Sequence, residues 1–492
     1  MRDPAWLSKL GMGWWQLGPN STLSRLKSVL GQPISPPSYV VRFSKNVTEL
    51  SPDAGRLIRM PICTMKMHAC RTAAAVALAV IIAPPAVAPP GLAYAQVKRP
   101  VLPARSRAPA HAAPGNAAGE PPPAPLKSKL PPRAPFAAAA DAAAQIPGIP
   151  DARFFADSVA DFQKALPTKP GPWLILSSGG EDGAFGAGLL NGLSASGRRP
   201  DYAVVTGVST GALMAPFAFA GAKYDNALRN AYTKITAADV FEAGQTPQSF
   251  LDNWPLKDFI AKEMTPELLA DIAAQYRAGR RLFIVTTDLD AERSVVWNMG
   301  AIAAHGGKEA HILFRNILLA SSSVPGAFPP VPIEVEGNGK RFSELHADGG
   351  VGGQFFLAPA ALLSATADYR LPATALYIII NTGLQPEFDV GQQTTAQILA
   401  QSVDMAVKTD TRLMIDRAYL AAKRSSIGFN IATIPPSFNA PSRGPFDPKY
   451  MGALFQVGYE LGKSATPFST EPPAYPGAPA PPANDREKPG AN

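Results

Sequence analysis

The residues best suited to do chemistry form a G-x-S-x-G motif, with Ser209 between Gly207 and Gly211. The motif lies where an apolar run at residues 202–205 gives way to a helix-forming run at residues 213–220. A serine on such a strand-to-helix turn sits in strained backbone, and a glycine two residues away on each side relieves the crowding. The helix that follows points its positive end at the hydroxyl. Ser209 is therefore a candidate nucleophile, and an ordinary turn before a helix is the alternative.

A second glycine-bearing turn lies upstream of this motif. Residues 172–178 form an apolar run typical of a buried strand, and Gly179, Gly180 and Gly183 separate it from a helix-forming run. Two such turns in succession would bring the N–H groups of one loop beside the serine of the other, as an acyl-transfer intermediate requires. A phosphate or dinucleotide site is the alternative, but the loop has neither G-x-G-x-x-G nor a terminal Gly-Lys-Ser/Thr.

The general base is the next requirement. Three of the five histidines lie in the region that we expect to fold: His305, His311 and His346. All three precede Asp348, whereas the histidine of an α/β-hydrolase triad follows the acid. Asp348 begins an Asp-Gly-Gly run after a strand-like stretch, and a carboxylate bonded to Ser209 can itself be the base. An Asp-Gly turn without chemistry, or His346 as a competing base, is the alternative.

These segments together resemble the patatin-like phospholipases, which are lipid acyl hydrolases with a Ser-Asp dyad. The loop at Gly179, the turn at Ser209 and the run at Asp348 follow that family's order and approximate spacing. The resemblance covers roughly residues 170–465. Three further segments look like the family's bacterial members: residues 297–300, 320–330 and 451–461.

The resemblance implies a serine hydrolase that cleaves carboxylic esters of lipids, phospholipids among them, and chemistry that needs no metal or other cofactor. Two residues depart from the family's glycine loop, because Ser178 replaces a glycine and Asp182 replaces a basic residue. An acid there places negative charge near a forming oxyanion. The implied roles are Ser209 as nucleophile, Asp348 as base, Gly179, Gly180 and Gly183 as the oxyanion loop, and Gly207 and Gly211 as the glycines of the turn.

Strand-like runs separated by helical stretches predict a three-layer α/β/α fold with a mainly parallel central sheet. Sites in such sheets lie at the carboxyl ends of the strands, and both glycine turns follow strands there. Residues 395–422 are typical of one helix with an apolar, core-packing face. The strand-like runs are residues 173–178, 202–205, 282–287, 295–297, 333–335 and 375–380.

The rest of the chain differs in composition. Residues 60–95 resemble a secretory signal peptide, with positive charge, an apolar run at residues 73–83 and a small-x-small cleavage site at residues 93–95. We therefore expect a periplasmic or secreted protein whose translation starts at Met60, Met65 or Met67. The expected organisation is an upstream extension at residues 1–59, a Pro/Ala-rich linker at residues 96–150, a catalytic domain at residues 151–465 and a disordered Pro-rich tail at residues 466–492.

Charge and cysteine content exclude other classes of function. Most of the net charge of +8 belongs to residues 1–95, so the charge does not indicate nucleic-acid binding. Both cysteines, Cys63 and Cys70, lie in the same segment, which leaves no thiol for a disulfide or a metal site in the mature chain. We see no calcium-binding loop or metal-ligand cluster in the sequence. Peripheral membrane contact and oligomeric state stay open.

Three hypotheses follow from the sequence. The first is a patatin-type lipid acyl hydrolase with an acyl-enzyme on Ser209. The second is a triad esterase that uses His305, His311 or His346. The third is a lipid-binding pseudoenzyme, which the acid at Asp182 in the glycine loop motivates.

Overall fold

The computed structural model describes residues 133–244, 248–386 and 394–475. The predicted upstream extension, the signal peptide and the linker as far as residue 132 lie outside these ranges, as do residues 476–492 of the predicted tail. In the described part of the chain, no helix combines the length and the apolar character needed to cross a membrane.

Nine strands form one mixed sheet, in the order β1-β7-β6-β3-β2-β10-β11, with β9 on β6 and β8 on β9. Two very short strands, β4 and β5, pair separately. The strands are β1 (Arg153–Phe155), β2 (Gly171–Leu176), β3 (Val204–Val208), β4 (Glu242–Ala243), β5 (Leu251–Asp252), β6 (Arg281–Asp288), β7 (Arg293–Asn298), β8 (Val331–Gly337), β9 (Lys340–Asp348), β10 (Ala373–Ile380) and β11 (Gly428–Thr433).

The centre of the sheet is parallel and its other side is antiparallel. Strands β6, β3, β2, β10 and β11 run in one direction, whereas β7 and β9 both run against β6. Strand β3 pairs with β6 as far as Val208, which lies opposite Val285. Strand β9 pairs with the next residues of β6, with Asp348 opposite Thr286. The ends of β3 and β9 are therefore neighbours along one edge of β6.

Alternating side chains of the central strands pack against two separate layers. In β2, Leu174 and Leu176 belong to one hydrophobic cluster, and Trp173 and Ile175 belong to the other. Strands buried on both faces read as continuous apolar runs, which is how the sequence identifies them. The sheet is thus covered on both sides, and the predicted three-layer α/β/α fold is confirmed.

Helices connect and cover the strands. The longest one, α12, packs on the face that carries Trp173 and Ile175, and α3, α4 and α13 pack on the opposite face. The helices are α1 (Ala138–Ala142), α2 (Val159–Ala165), α3 (Gly183–Ala195), α4 (Thr210–Ala220), α5 (Asp225–Thr233), α6 (Ala237–Val240), α7 (Trp254–Glu263), α8 (Pro266–Arg277), α9 (Met299–His305), α10 (Gly307–Ser321), α11 (Ala360–Leu363), α12 (Thr395–Ser425) and α13 (Pro448–Lys463).

The packed domain is longer at both ends than the predicted range of residues 151–465. Ala140 and Ile146 are buried in the main core, so the stretch from residue 133 to 150 is not linker. At the other end, Ser469 forms a bridge with Ile431, so the tail is ordered beyond residue 465. Both segments are rich in alanine or proline, and their few large apolar residues, which include Phe136, Ile146 and Phe468, nevertheless pack on the core.

Candidate active site

Ser209 lies at the tight turn between β3 and α4. Its backbone has φ 54° and ψ −121°, a left-handed conformation that a residue with a side chain rarely adopts. A Cβ at Gly207 would overlap the carbonyl of Gly211, and a Cβ at Gly211 would overlap the carbonyl of Leu176. The two glycines of the motif are therefore required by close backbone approach, which is the structural context expected of a nucleophile turn.

The end of α10 holds this turn in place. Ser321 donates its hydroxyl to the carbonyl of Val285 at 2.7 Å and accepts the Ser209 N–H at 3.1 Å. Two residues on, the carbonyl of Ser323 accepts the N–H of Asp348 at 2.9 Å. One serine-rich helix end thus fixes the backbone at both Ser209 and Asp348.

Asp348 ends β9 beside the Ser209 turn and is 4% exposed. Its Oδ1 accepts the N–H of Gly350 at 2.7 Å. Burial raises the pKa of this carboxyl to about 6, and hydrogen bonding by the Ser209 hydroxyl and the Gly350 N–H partly opposes the rise. Oδ2 nevertheless has no partner in good hydrogen-bonding geometry among the described residues. The Ser209 hydroxyl still lies near enough to Asp348 to lower the pKa of the carboxyl.

The glycine loop follows β2 on the other side of Ser209. It forms a 3-10 turn at Gly180–Asp182 and then enters α3 at Gly183. A Cβ at Gly183 would overlap the Thr210 hydroxyl, so the loop touches the residue after Ser209. A Cβ at Gly179 would overlap the carbonyl of Asn381 at the end of β10. The structure therefore brings the two glycine turns together, as the sequence predicts.

The two departures in the glycine loop each have a partner. Ser178 donates its hydroxyl to the side-chain oxygen of Gln354, and its N–H bonds the Gln354 carbonyl at 2.8 Å. Gln354 in turn donates to the carbonyl of Gly350 at 2.8 Å, so Ser178 links the glycine loop to the Asp348 turn. Asp182 accepts the hydroxyl of Tyr450 at 2.6 Å, which offsets part of the charge that this acid brings.

Ser209 opens onto an apolar pocket of about 270 Å³. Its walls come from helices α4, α5 and α7 and from the segment before α13. Glu181 and Glu263 also line it, and burial raises the pKa of both carboxyls. The apolar lining includes Leu213, Phe217, Ile235, Val240, Leu256, Phe259, Ile260, Met264, Val324, Phe328, Phe446 and Met451.

The histidines do not complete a triad. His346 bonds Thr286 through Nδ1 and Glu344 through Nε2, each at 2.9 Å, so both ring nitrogens are directed away from Ser209. No histidine is among the described residues that line the pocket at Ser209, and His305 and His311 lie on α9 and α10. The arrangement supports a carboxylate rather than an imidazole as the base.

Several residues around the site were not found by sequence reasoning. Gln354, Asn381 and Tyr450 reach the glycine loop from segments distant in the chain. Asn381 donates its side-chain N–H to the carbonyl of Ser177 at 3.0 Å and accepts the N–H of Gly186 at 3.1 Å. No local pattern marks such residues, since only the sheet order brings them near the loop.

Part of the chain is similar to a known protein family. Residues 174–361 match the model of the patatin family, described as patatin-like phospholipase. No curated protein matches the chain in sequence. Solved structures that match include VipD from Legionella pneumophila, with 11% sequence identity and a TM-score of 0.30. The match covers 60% of this chain and 66% of VipD, so the chain spans just under two thirds of the length of VipD. Residues 174–361 are therefore similar to a patatin-like phospholipase domain, and both Ser209 and Asp348 lie within the matched range.

Proposed function

We propose that this protein is a lipid acyl hydrolase that cleaves carboxylic esters through an acyl-enzyme on Ser209, with Asp348 as the general base. The observation that carries the proposal is the meeting of three features at one point. A serine in strained backbone lies beside a buried carboxylate with a raised pKa, and the serine opens onto an apolar pocket. Nucleophile, base and acyl-binding surface are the parts that ester hydrolysis needs.

In the first half-reaction, Asp348 takes the proton of the Ser209 hydroxyl as the oxygen attacks the ester carbonyl carbon. The carbonyl oxygen becomes an oxyanion, which we assign to backbone N–H groups of the loop at Gly179, Gly180 and Gly183 and to the positive end of the adjoining helices. The carbon–oxygen bond to the alcohol then breaks. Protonated Asp348 gives its proton to the leaving alkoxide, and the acyl group stays on Ser209.

In the second half-reaction, water attacks the acyl-enzyme while Asp348 again removes a proton. The same loop accepts the second oxyanion. The bond between the acyl carbon and the Ser209 oxygen then breaks, protonated Asp348 gives its proton to that oxygen, and the fatty acid leaves. The pocket supports a substrate with an apolar acyl chain, because its wall is made mostly of aliphatic and aromatic side chains. We assign lipid esters, phospholipids among them, as the substrate class.

The test is covalent labelling with a fluorophosphonate together with hydrolysis of a short-chain nitrophenyl ester by the full chain. We expect Ser209→Ala to abolish labelling and to lower kcat by about 10³-fold or more. The matched control is Ser402→Ala, which removes an exposed hydroxyl bonded only to the Ile398 carbonyl. This control should label and turn over like the parent.

A further control variant addresses the triad hypothesis. The double variant His305→Gln/His311→Gln should keep its hydrolytic rate, because the proposed base is a carboxylate. If that variant loses turnover, the dyad assignment is wrong. If the parent protein neither labels nor hydrolyses esters while it still binds lipid, the pseudoenzyme hypothesis replaces this one.

We further propose that the hydrolase acts in the periplasm or outside the cell. The support is the signal-peptide-like composition of residues 60–95, which lie outside the described residues. N-terminal sequencing of protein recovered from the periplasm or the medium tests this, with a mature start near Gln96 expected. A mature chain that begins before residue 60 would contradict it.

A further inference from the structure

A buried cluster of ionisable side chains lies on β6 and β9, away from the apolar pocket. Asp288, Glu344 and His346 each place one ligand atom within 4.8 Å of the other two. All three side chains are fully buried. The histidine and two carboxylates offer one nitrogen and two oxygens, which is a donor set that zinc and related divalent ions accept.

The oxygens of this cluster are not all used by the protein. Glu344 takes both of its hydrogen bonds on Oε2, from Arg153 and from His346, and its Oε1 has no partner within the described ranges. Asp288 accepts the Asp290 N–H on Oδ1 at 3.0 Å, and its Oδ2 has no partner there either. Buried carboxylate oxygens without a hydrogen bond are costly and call for a ligand.

The charges point to a cation rather than an anion. Three buried carboxylates act on one another here, those of Asp141, Asp288 and Glu344. Arg153 is the cation that pairs with them, through its ion pair with Glu344. When all three acids are ionised, the cluster carries an excess of two negative charges. A divalent ion would balance that excess.

We propose that Asp288, Glu344 and His346 form a binding site for a divalent transition-metal ion of the zinc class, separate from the catalytic pair. Ligands of a tetrahedral zinc ion lie about 3.4 Å apart. His346 Nε2 lies 2.9 Å from Glu344 Oε2, so that pair would open slightly, and any other pair of donor atoms would close by at most roughly 1.4 Å. Three protein ligands leave a fourth position for water.

The surroundings of His346 suit a ligand. In the bound form Nε2 coordinates the ion and the ring carries its proton on Nδ1, which lies 2.9 Å from the Thr286 hydroxyl oxygen. That oxygen has two lone pairs, so it can accept both this proton and the indole N–H of Trp297, which lies at 2.7 Å. A histidine ligand oriented by a second hydrogen bond is the usual arrangement around zinc. Thr286 is therefore a positioning residue.

The site would link β6 to β9 close to the end of β9, where Asp348 lies. Asp288 pairs with His346 across these strands, and Asp348 is two residues further along the same strand. A metal ion would cross-link the strands at this point and stabilise the fold that holds the base.

The experiment is a metal titration of the full chain after treatment with a chelator and dialysis. We expect calorimetry to show that the protein binds one equivalent of Zn²⁺, and Mn²⁺ is the second ion to be tested. A free Zn²⁺ concentration of about 100 times the Kd should raise the Tm by about 3 °C or more. If the folded parent binds neither ion, water satisfies these oxygens and the proposal is overturned. This result needs no variant, so it does not depend on how substitutions fold.

Variants then locate the ion. His346→Gln and Asp288→Asn should each weaken Zn²⁺ binding by at least about 100-fold, and Thr286→Val should weaken it by about 10- to 100-fold. The matched control is His311→Gln on α10, which should leave the Kd unchanged. If stoichiometric binding with an unchanged Kd survives in folded His346→Gln and Asp288→Asn, the ion binds elsewhere and the assignment is wrong.

Discussion

Asp288 and Asp348 end two neighbouring strands, and burial raises the pKa of each carboxyl to about 6. Their surroundings differ. Asp348 faces a hydroxyl and a backbone N–H beside an apolar pocket, whereas Asp288 faces His346 and two further carboxylates in a closed interior. A raised pKa therefore does not by itself identify a catalytic acid or base. What the carboxylate faces decides whether it can move a proton or hold an ion.

The largest predicted effect is a loss of turnover when Asp348 is replaced by asparagine. The amide keeps the shape of the side chain but cannot take the Ser209 proton, so kcat should fall by about 10³-fold or more. Ester hydrolysis at saturating substrate measures it. The matched control is Asp157→Asn, which removes an exposed partner of Arg293 and should stay within about twofold of the parent. Full activity in folded Asp348→Asn would show that another group is the base.

The next prediction concerns the pH dependence of kcat/KM. Asp348 is competent as a base only when it is ionised, so the rate should fall about tenfold for each pH unit below its pKa of about 6. It should level off above about pH 7. A pH series from 4.5 to 8 with a neutral nitrophenyl ester tests this. An acid limb near pH 4 would mean that the Asp348 carboxyl is not desolvated in solution.

A third prediction concerns how the Asp348 carboxyl changes the free energy of unfolding with pH. The folded-state pKa of Asp348 lies above its unfolded value near 3.9, so the folded protein binds the proton more tightly. The resulting stabilisation is complete below about pH 4 and is lost as pH rises through about 6. Because Asn cannot ionise, Asp348→Asn should match the parent at pH 4 and exceed its free energy of unfolding at pH 7 by up to about 3 kcal/mol. Urea unfolding at both pH values measures the difference, and equal gains at pH 4 and pH 7 would contradict the linkage.

The two ends of the site differ in how far the sequence predicts them. The Ser209 turn and the glycine loop are local, because glycine spacing and a preceding apolar strand specify each of them. Asp348 was identified at the end of a strand-like stretch, but the full length of β9 was not, since its inward positions include Glu344 and His346 as well as Phe342, which breaks the apolar alternation. Strand β3 also runs to Val208, beyond the predicted residue 205, because the pattern stops being apolar at Thr206 and Gly207.

The sequence proposes Asp348 as the partner of Ser209, but it does not indicate where β9 joins the sheet. The pairing of β9 with the same edge of β6 that β3 occupies places Asp348 beside Ser209 and gathers the Asp288 cluster. Nothing local to either strand encodes which edge it joins. The buried cluster was therefore not visible in the sequence, although each of its residues was.

The smallest predicted effect is on kcat and concerns a third acid, Asp182. Unlike Asp288 and Asp348, this carboxylate is partly solvated. It lies in the glycine loop, partly exposed, and accepts the Tyr450 hydroxyl at 2.6 Å. Water and this hydrogen bond screen its charge, so Asp182→Asn should raise kcat by only about two- to threefold, through weaker repulsion of the oxyanion. Asp447→Asn is the control for general loss of charge, because Asp447 is a partly exposed acid at the N-cap of α13 and Asn can keep the cap. A gain of tenfold or more from Asp182→Asn would mean that the loop is poorly screened and that Asp182 sets the rate of this hydrolase.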